Sequence, residues 1–251
     1  MDKFDILSVN YHDTKDLKYD YAVLPWGATE PHNYHLPYLT DCFLSHDIAA
    51  DAVRKAYEKG EVRGMILPAV PFGTQNAGQR ELPFCIHTSY DTQRGILTDI
   101  VRSLDYQGIK TLIIVNGLGA NNFRNMIRDL AVNYPDFLIV VSDWFRIIHP
   151  KGYFEEPDDH AGEMETSVMI HYRPELVDMS IAGDGKYIPF KAKSLQEGTG
   201  WTPRNWSKIS KDTGVGNPHK SSAEKGKKYA EAVSDKLAEM FIELGSEDIY
   251  E

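Results

Sequence analysis

Side chains that bind metals are concentrated in the stretch LPWGATEPHNYHLPYLTD, residues 24–41. Glu30 and His32 are two residues apart, so an extended backbone would direct both side chains to the same side. Asp41 follows just before a predicted helix and could reach back to the same point. Carboxylate oxygens and imidazole nitrogens together suit Zn²⁺, Mn²⁺ or Fe²⁺. The alternative, which spacing alone leaves open, is that Glu30 and His32 are solvated and Asp41 only caps the helix.

A second group of acids surrounds a histidine in DDHAGEMETSVMI, residues 158–170. If a helix begins near His160, then His160 and Glu163 share one face, because residues three apart are helical neighbours. His160 is then a candidate general acid or base beside a metal. Glu165 would point elsewhere, toward an apolar side where a carboxylate needs partners. The alternative is that the acids only complement the dipole of the helix.

Alternating strands and helices must position these residues. Amphipathic patterns predict helices over 42–60, 89–108, 121–135 and 221–245. Residues 180–218 lack a clear period, and we expect them to cover a pocket or form an interface. Four mostly apolar runs are typical of parallel strands covered on both faces: YAVLPWG, GMILPAV, KTLIIVNG and DFLIVVSDW. The alternation predicts a single α/β domain with a mainly parallel sheet between helices.

The polar groups fall where these predicted strands end. Ligands of open α/β sheets bind beyond the carboxyl ends of the strands. The segment with Glu30 follows the first strand, and Asn116 and Asn121 follow the third. We therefore expect these groups to meet in space, with Asn116 and Asn121 as candidate substrate-binding residues.

Composition and charge exclude several classes of function. The formal net charge of −10 argues against a nucleic-acid surface, which needs basic patches. No run approaches the roughly 18 apolar residues of a membrane span. Two distant cysteines, Cys42 and Cys85, form neither a disulfide framework nor a zinc-finger pattern, and residues 1–16 lack an apolar signal segment. We expect a cytoplasmic protein whose partner is a small molecule rather than nucleic acid or a membrane.

Several separated motifs resemble those of the creatininase (creatinine amidohydrolase) family. The matching stretches follow the order of the family from about residue 22 to the C-terminal helix: GATEPHNYHLPYLTD, LIIVNGLGANN, DHAGEMETSVM and GVGNPHKSSAEKG. The resemblance implies an α/β fold and a metal-dependent hydrolase that uses a metal-activated water. The implied substrate has a non-peptide C–N bond, as in a cyclic amide or a formamide. A homo-oligomer, a hexamer or smaller, is implied as well.

The resemblance also implies roles for individual residues. Glu30 would bind one metal, Asp41 would bridge and His32 would bind a second. His160 corresponds to the histidine that transfers a proton to the leaving nitrogen. Two further roles are implied, a metal-binding or catalytic acid and a pocket tryptophan, for Glu163 and Trp144.

The sequence departs from the family at inner positions of the site. Leu118 stands where the family has a ligand histidine, and Ala120 stands where creatininase has an acid. Glu163 could replace the acid, and His35 and His87 are candidates for the missing histidine. Creatinine is therefore not the expected substrate, since Pro31, Asn33 and the segment LPFCIH at 82–87 also differ from the family.

Three hypotheses follow from these departures. The first is a hydrolase with one divalent ion, Zn or Mn with Fe also compatible, held by His32, Asp41 and Glu163. Glu30 would then orient the substrate or support a ligand. The second is a hydrolase with two ions, which the loss of a histidine at Leu118 disfavours. The third is a non-catalytic relative that binds a ligand or acts as a partner subunit.

Overall fold

A parallel sheet of four strands forms the centre of the protein, as seen in a computed structural model that describes residues 3–246 and 249–250. The strand order is β2-β1-β3-β4. The first and third strands end side by side, because Trp26 pairs with Asn116. The strands are Tyr21–Trp26 (β1), Gly64–Ile66 (β2), Thr111–Asn116 (β3) and Leu138–Asp143 (β4). A separate antiparallel pair consists of Asp158–His160 (β5) and Val215–Gly216 (β6).

Helices connect the strands and cover both faces of the sheet. The longer helices are Thr40–Gly60 (α2), Tyr90–Tyr106 (α3), Arg124–Asn133 (α4), Glu163–Tyr172 (α6) and Ala223–Ser246 (α9). The shorter ones are Tyr11–Thr14 (α1), Trp144–Ile147 (α5), Lys193–Gln196 (α7) and Trp206–Ile209 (α8), with 3-10 turns at Pro174–Leu176 and Met179–Ile181. In the described part of the chain, none of the helices has the length and apolarity needed to cross a membrane.

Alternation along β1 separates two hydrophobic cores. Tyr21 and Val23 pack with apolar residues of α2, α6 and α9. Ala22, Leu24 and Trp26 face the opposite side, where α3 and α4 supply the partners. Complete burial of an aliphatic or aromatic side chain contributes about 1.5–3 kcal/mol relative to exposure. The predicted parallel sheet between two helical layers is confirmed.

Three element boundaries differ from the prediction by more than two residues. The second strand ends at Ile66 rather than at Val70, because Pro68 cannot donate to a ladder. Helix α4 begins at Arg124 rather than at Asn121, whose side chain is bonded to neighbouring loops instead. Helix α6 begins at Glu163, so His160 belongs to a strand and not to a helical face.

Two glycines bring the start of α2 against the ends of β1 and β3. A Cβ on Gly27 would lie 2.7 Å from the carbonyl carbon of Asp41, and one on Gly117 would lie 2.5 Å from the carbonyl oxygen of Asp41. Both contacts are closer than real Cβ atoms allow, so only glycine permits this approach. The connection after β1 leads to β2 and the connection after β3 leads to β4, in opposite directions along the sheet. The carboxyl ends of β1 and β3 therefore form the switch point where α/β proteins bind ligands.

Candidate metal centre

Five buried side chains with metal-binding atoms converge beyond the ends of β1 and β3. Two overlapping groups each place three such atoms within 4.8 Å of one another. One group is Glu30, His32 and His160, and the other is His32, Asp41 and Glu165. All five residues are at most 7% exposed. The sequence-predicted residues Glu30, His32, Asp41 and His160 are thus brought together.

The orientation of His32 leaves one ring nitrogen directed at acids. Its Nδ1 donates to the backbone carbonyl oxygen of Glu30 at 3.1 Å. Its Nε2 lies 3.1 Å from Oδ1 of Asp41 and 4.0 Å from Oε1 of Glu30. Carboxylate oxygens only accept, so a proton or a cation must lie between Nε2 and these acids. Burial opposes a charge on His32, but Asp41, Glu165 and Glu30 outweigh it and raise the pKa of His32 to about 10.

One ring nitrogen of His160 is hydrogen-bonded to the backbone, and the other faces Glu30. Its Nε2 donates to the carbonyl oxygen of Pro31 at 2.8 Å, and its Nδ1 lies 3.5 Å from Oε1 of Glu30. The centroid of its ring lies 4.2 Å from that of His32 and 5.3 Å from that of Trp206, to which it is nearly perpendicular. Burial, reinforced by the nearby His32, lowers the pKa of His160 well below its usual value. His160 is therefore a neutral imidazole with an accepting Nδ1.

The acids of the site carry more negative charge than their surroundings stabilise. Burial first, and Asp41 second, raise the pKa of Glu30 to about 8, although Gln79 donates to its Oε2 at 2.8 Å. Burial also raises the pKa of Glu165 well above its usual value, despite a 2.6 Å bond from the Ala161 amide. The Oδ2 atom of Asp41 is buried without a hydrogen-bond partner. Buried polar atoms are normally satisfied, so these acids and His32 fit a divalent cation.

Glu163 differs from its sequence-based expectation. Its Oε2 accepts from the backbone amides of Glu155 and Glu156, at 2.8 and 2.7 Å, and its Oε1 contacts Nζ of Lys225 at 2.5 Å. It belongs to neither described ligand group and does not line the cleft above them. The reason is local: Ala161 adopts a left-handed φ of 53°, which turns the chain between His160 and α6. Glu165, two residues after Glu163, faces the site instead.

Substitution of these two glutamates should separate metal binding from loop anchoring. We expect Glu165→Gln to lose most metal affinity, because it removes an anionic ligand from a buried group. Glu163→Gln should keep the metal but lower stability by about 1–3 kcal/mol, because bonds to charged groups are lost. Metal analysis and denaturant unfolding of both variants measure the two effects. Loss of metal in Glu163→Gln with retention in Glu165→Gln would reverse our assignment.

The predicted substrate-binding residues have structural contacts instead. Asn116 donates to the carbonyl oxygen of Leu118 at 2.9 Å and to Asp143 at 2.8 Å. Asn121 donates to the side-chain oxygen of Asn116 at 3.1 Å. Trp144 is fully buried in the hydrophobic core. These three residues do not line the cleft, so they hold its loops in place rather than contact its contents.

The candidates for a replacement histidine lie elsewhere. His35 is bonded through Nε2 to the Thr166 hydroxyl at 2.8 Å, and Nδ1 of His87 accepts from the Gln75 amide at 3.1 Å. Among the described residues, neither belongs to a metal-ligand group. Leu118 lines the cleft as expected from its position in the sequence. The second histidine of the site is His160.

An open cleft of about 780 Å³ lies above the ligand groups. Its floor includes Glu30, Asp41, His160 and Glu165. Its walls come from three segments, numbered 117–120, 145–159 and 201–206, together with Asn76, Gln79 and Phe190. The irregular segment 180–218 therefore contributes to the wall of the cleft. A volume of this size is typical of small-molecule sites.

Comparison with known proteins identifies the family of this site. The sequence profile of the creatininase family, described as creatinine amidohydrolase, matches residues 8–241. The chain belongs to the creatininase family. A crystal structure of a candidate creatinine amidohydrolase from Bacteroides fragilis NCTC 9343 is 56% identical, covers all of both chains and has a TM-score of 0.99. A manganese form of creatininase is 21% identical over 96% of this chain and 98% of that chain, with a TM-score of 0.76, and shares the fold.

Curated members of the creatininase family differ in activity. Creatinine amidohydrolase of Pseudomonas putida is 24% identical, and the match covers 62% of this chain and 66% of that enzyme, just under two thirds of its length. Mycofactocin precursor peptide peptidase of Mycobacterium ulcerans is 26% identical over 85% of this chain and 81% of that enzyme. The family is hydrolytic and metal-dependent, and family membership alone does not define the substrate.

Sequence reasoning missed three residues of this creatininase-like site. Glu165 was assigned to an apolar side that needed partners, and that need was its only signal. Gln79, which donates to Glu30, lies just before the segment 82–87 that departs from the family motif. Trp206, whose ring packs perpendicular to that of His160, lies in a segment without periodicity. No local pattern marks the last two, because both contacts join residues distant in sequence.

Proposed function

We propose that this creatininase-family chain is a hydrolase that cleaves a non-peptide C–N bond of a small amide, with one divalent ion, Zn²⁺ or Mn²⁺. His32, Asp41 and Glu165 would hold the ion. The observation that carries the proposal is this buried group together with the unpartnered Oδ2 of Asp41. Three protein ligands leave a position open, the arrangement of catalytic rather than structural metals.

The geometry of His32 favours one ion over two. Its Nε2 is the only atom it can offer, because Nδ1 donates to the Glu30 carbonyl oxygen. An imidazole nitrogen has a single lone pair and binds one ion, yet both described groups include His32. The two groups therefore cannot each bind a separate ion through His32. Leu118 supplies no donor atom from the adjacent wall.

Glu30 and His160 supply the proton transfer. When bound, the ion would act as a Lewis acid toward a carbonyl oxygen and lower the pKa of a water molecule. Nδ1 of His160 can accept a proton, because Nε2 is committed to the Pro31 carbonyl oxygen. Glu30, 3.5 Å from that nitrogen and with its pKa raised to about 8 by burial, can hold the same proton. The pair can then protonate the leaving nitrogen.

Turnover and metal content together test the proposed function. Protein purified without chelator is assayed with cyclic amides, N-formyl compounds and short peptides, since family members include a peptidase. We expect metal-dependent release of amine from a non-peptide amide, lost in Glu165→Gln and kept in Glu163→Gln. Absence of bound metal at any metal concentration would contradict the proposal. That result would favour the third hypothesis, a non-catalytic relative of the family. The presence of Leu118 and Ala120 in place of the family's histidine and acid agrees with that hypothesis.

Leu118→His should raise the metal content from one equivalent per chain toward two. The new imidazole would enter the wall of the cleft and supply a nitrogen beside the remaining oxygens of Glu30 and Asp41. Elemental analysis of dialysed protein measures the ratio. Leu118→Phe is the matched control, because it adds a ring without a ligand atom. An unchanged ratio in Leu118→His would show that more than this side chain prevents a second ion from binding.

A further inference from the structure

Aromatic side chains line the cleft above the metal centre. Trp201 stands at the rim and is 86% exposed, whereas Trp206 is 4% exposed and packs against His160. Phe145, Phe154 and Phe190 are partly buried and line the same space. Small-molecule sites are lined mainly by hydrophobic and aromatic side chains, and Trp201 adds its ring to such a lining. The faces of aromatic rings stack well on flat rings of a ligand.

One wall of the cleft also carries hydrogen-bond donors with little protein contact. The segment after β4 contributes Arg146, His149 and Lys151. Arg146 is 66% exposed and has a contact of 3.4 Å to Asp143. Nδ1 of His149 accepts from the Lys151 backbone amide at 3.1 Å, so Nε2 bears any further N–H. Lys151 is exposed, and within residues 3–246 no ion pair of its Nζ is found.

The acids farther along the same segment already have partners. Glu155 and Glu156 contact Lys220, at 3.1 and 2.8 Å. Asp158 accepts from backbone amides at the start of α6, including that of Gly162. Asp159 pairs with Arg204 at 2.5 Å. The guanidinium of Arg204 also lies over the ring of Trp206. The donors of residues 146–151 are therefore not taken up by these acids.

We propose that the substrate of this site is a flat, aromatic or heteroaromatic ring that bears a carboxylate or a phosphate. The ring would stack on Trp201, and the anionic group would bind the donors of residues 146–151. The volume of about 780 Å³ supports a ligand larger than a simple cyclic amide. This inference names the substrate class of the site in the proposed function. Its binding test does not require turnover.

The emission of Trp201 provides a direct measure of binding. Trp26, Trp144 and Trp206 are buried, so Trp201 is the tryptophan most accessible to acrylamide. We expect benzoate and phenyl phosphate to quench Trp201 emission and to protect it from acrylamide. Benzamide, the neutral analogue, and cyclohexanecarboxylate, which has no flat ring, should bind more weakly. The tighter of the two anions identifies the group that the site prefers.

Variants test separately whether Trp201 binds the ring and whether residues 146–151 bind the anionic group. Arg146→Gln and Lys151→Gln should each weaken the binding of both anions by about 2- to 5-fold, the range for exposed charged contacts, and leave the binding of benzamide unchanged. Trp201→Leu removes the fluorescence used in the other titrations, so its binding is measured by calorimetry. We expect it to bind aromatic probes about 2- to 10-fold more weakly. Lys227→Gln on α9 is the control, because Lys227 is exposed and does not line the cleft. All titrations use one ionic strength, since salt screens exposed charges.

Three outcomes would overturn this inference. The first is equal affinity of the anions for the wild type and for both charge variants. The second is a Trp201 already shielded from acrylamide without ligand, which would indicate a contact between copies of the chain. The third is binding that disappears in chelated protein in all variants alike, which would place the anion on the ion alone. Each outcome leaves the metal content and the turnover of the proposed function unaffected, so the two proposals fail separately.

Discussion

His160→Ala should lower amide turnover by about 10²- to 10⁴-fold, the usual contribution of a general acid or base, while the metal stays bound. His160 is 6% exposed, and its accepting Nδ1 lies 3.5 Å from Oε1 of Glu30. Removal of the imidazole leaves Glu30 with no group to exchange a proton with. The ligands of the proposed ion, His32, Asp41 and Glu165, remain unchanged.

Parallel measurement of kcat and metal content checks this expectation. His171→Ala is the control, because His171 lies on α6 outside the cleft and should keep both quantities. The described group of Glu30, His32 and His160 offers a competing assignment, in which His160 is a ligand. Loss of metal along with activity in His160→Ala would support that assignment. Retained turnover would exclude His160 from proton transfer.

Asp41→Asn should have the largest effect on metal affinity. Outer partners of metal ligands typically contribute 10- to 100-fold, and we expect an inner carboxylate to exceed about 100-fold. The unpartnered Oδ2 and the contact of Oδ1 with Nε2 of His32 place both oxygens of Asp41 in the buried group.

Thermal or denaturant unfolding with and without metal measures this effect. At a metal concentration of about 1,000 times the wild-type Kd, a metal bound only to folded protein adds about 4.1 kcal/mol, and a 100-fold weaker site adds about 1.4 kcal/mol. Asp143→Asn is the matched control, because this carboxylate lies at the end of β4 outside both ligand groups. Equal metal-induced stabilisation in Asp41→Asn and the wild type would rule out Asp41 as a ligand.

The layered fold could be predicted from the sequence because its signals are local. Apolar runs such as LIIV in β3 have the length and composition of buried strands, and the helical stripes between them have the right period. The convergence of Glu30 and Asp41 also follows from local features, since both flank a strand-to-helix connection. Gly27 and Gly117 then let the helix approach the sheet edge.

The rest of the site depends on backbone geometry and distant contacts. The left-handed backbone at Ala161 turns the chain so that Glu165, rather than Glu163, faces the site. An alanine in the sequence does not indicate this conformation. Motif position placed Trp144 in a pocket, but its packing against Tyr229 and Phe145 buries it in the core. Side-chain direction after a turn is decided by tertiary packing, which spacing in the sequence does not encode.

A crystal structure of the metal-loaded protein, with anomalous scattering measured at the absorption edge of the added Zn²⁺ or Mn²⁺, tests the central claim most directly. We expect one anomalous peak per chain, within bonding distance of Nε2 of His32 and of carboxylate oxygens of Asp41 and Glu165. A peak at Glu163, two peaks per chain, or no peak at saturating metal would contradict the account.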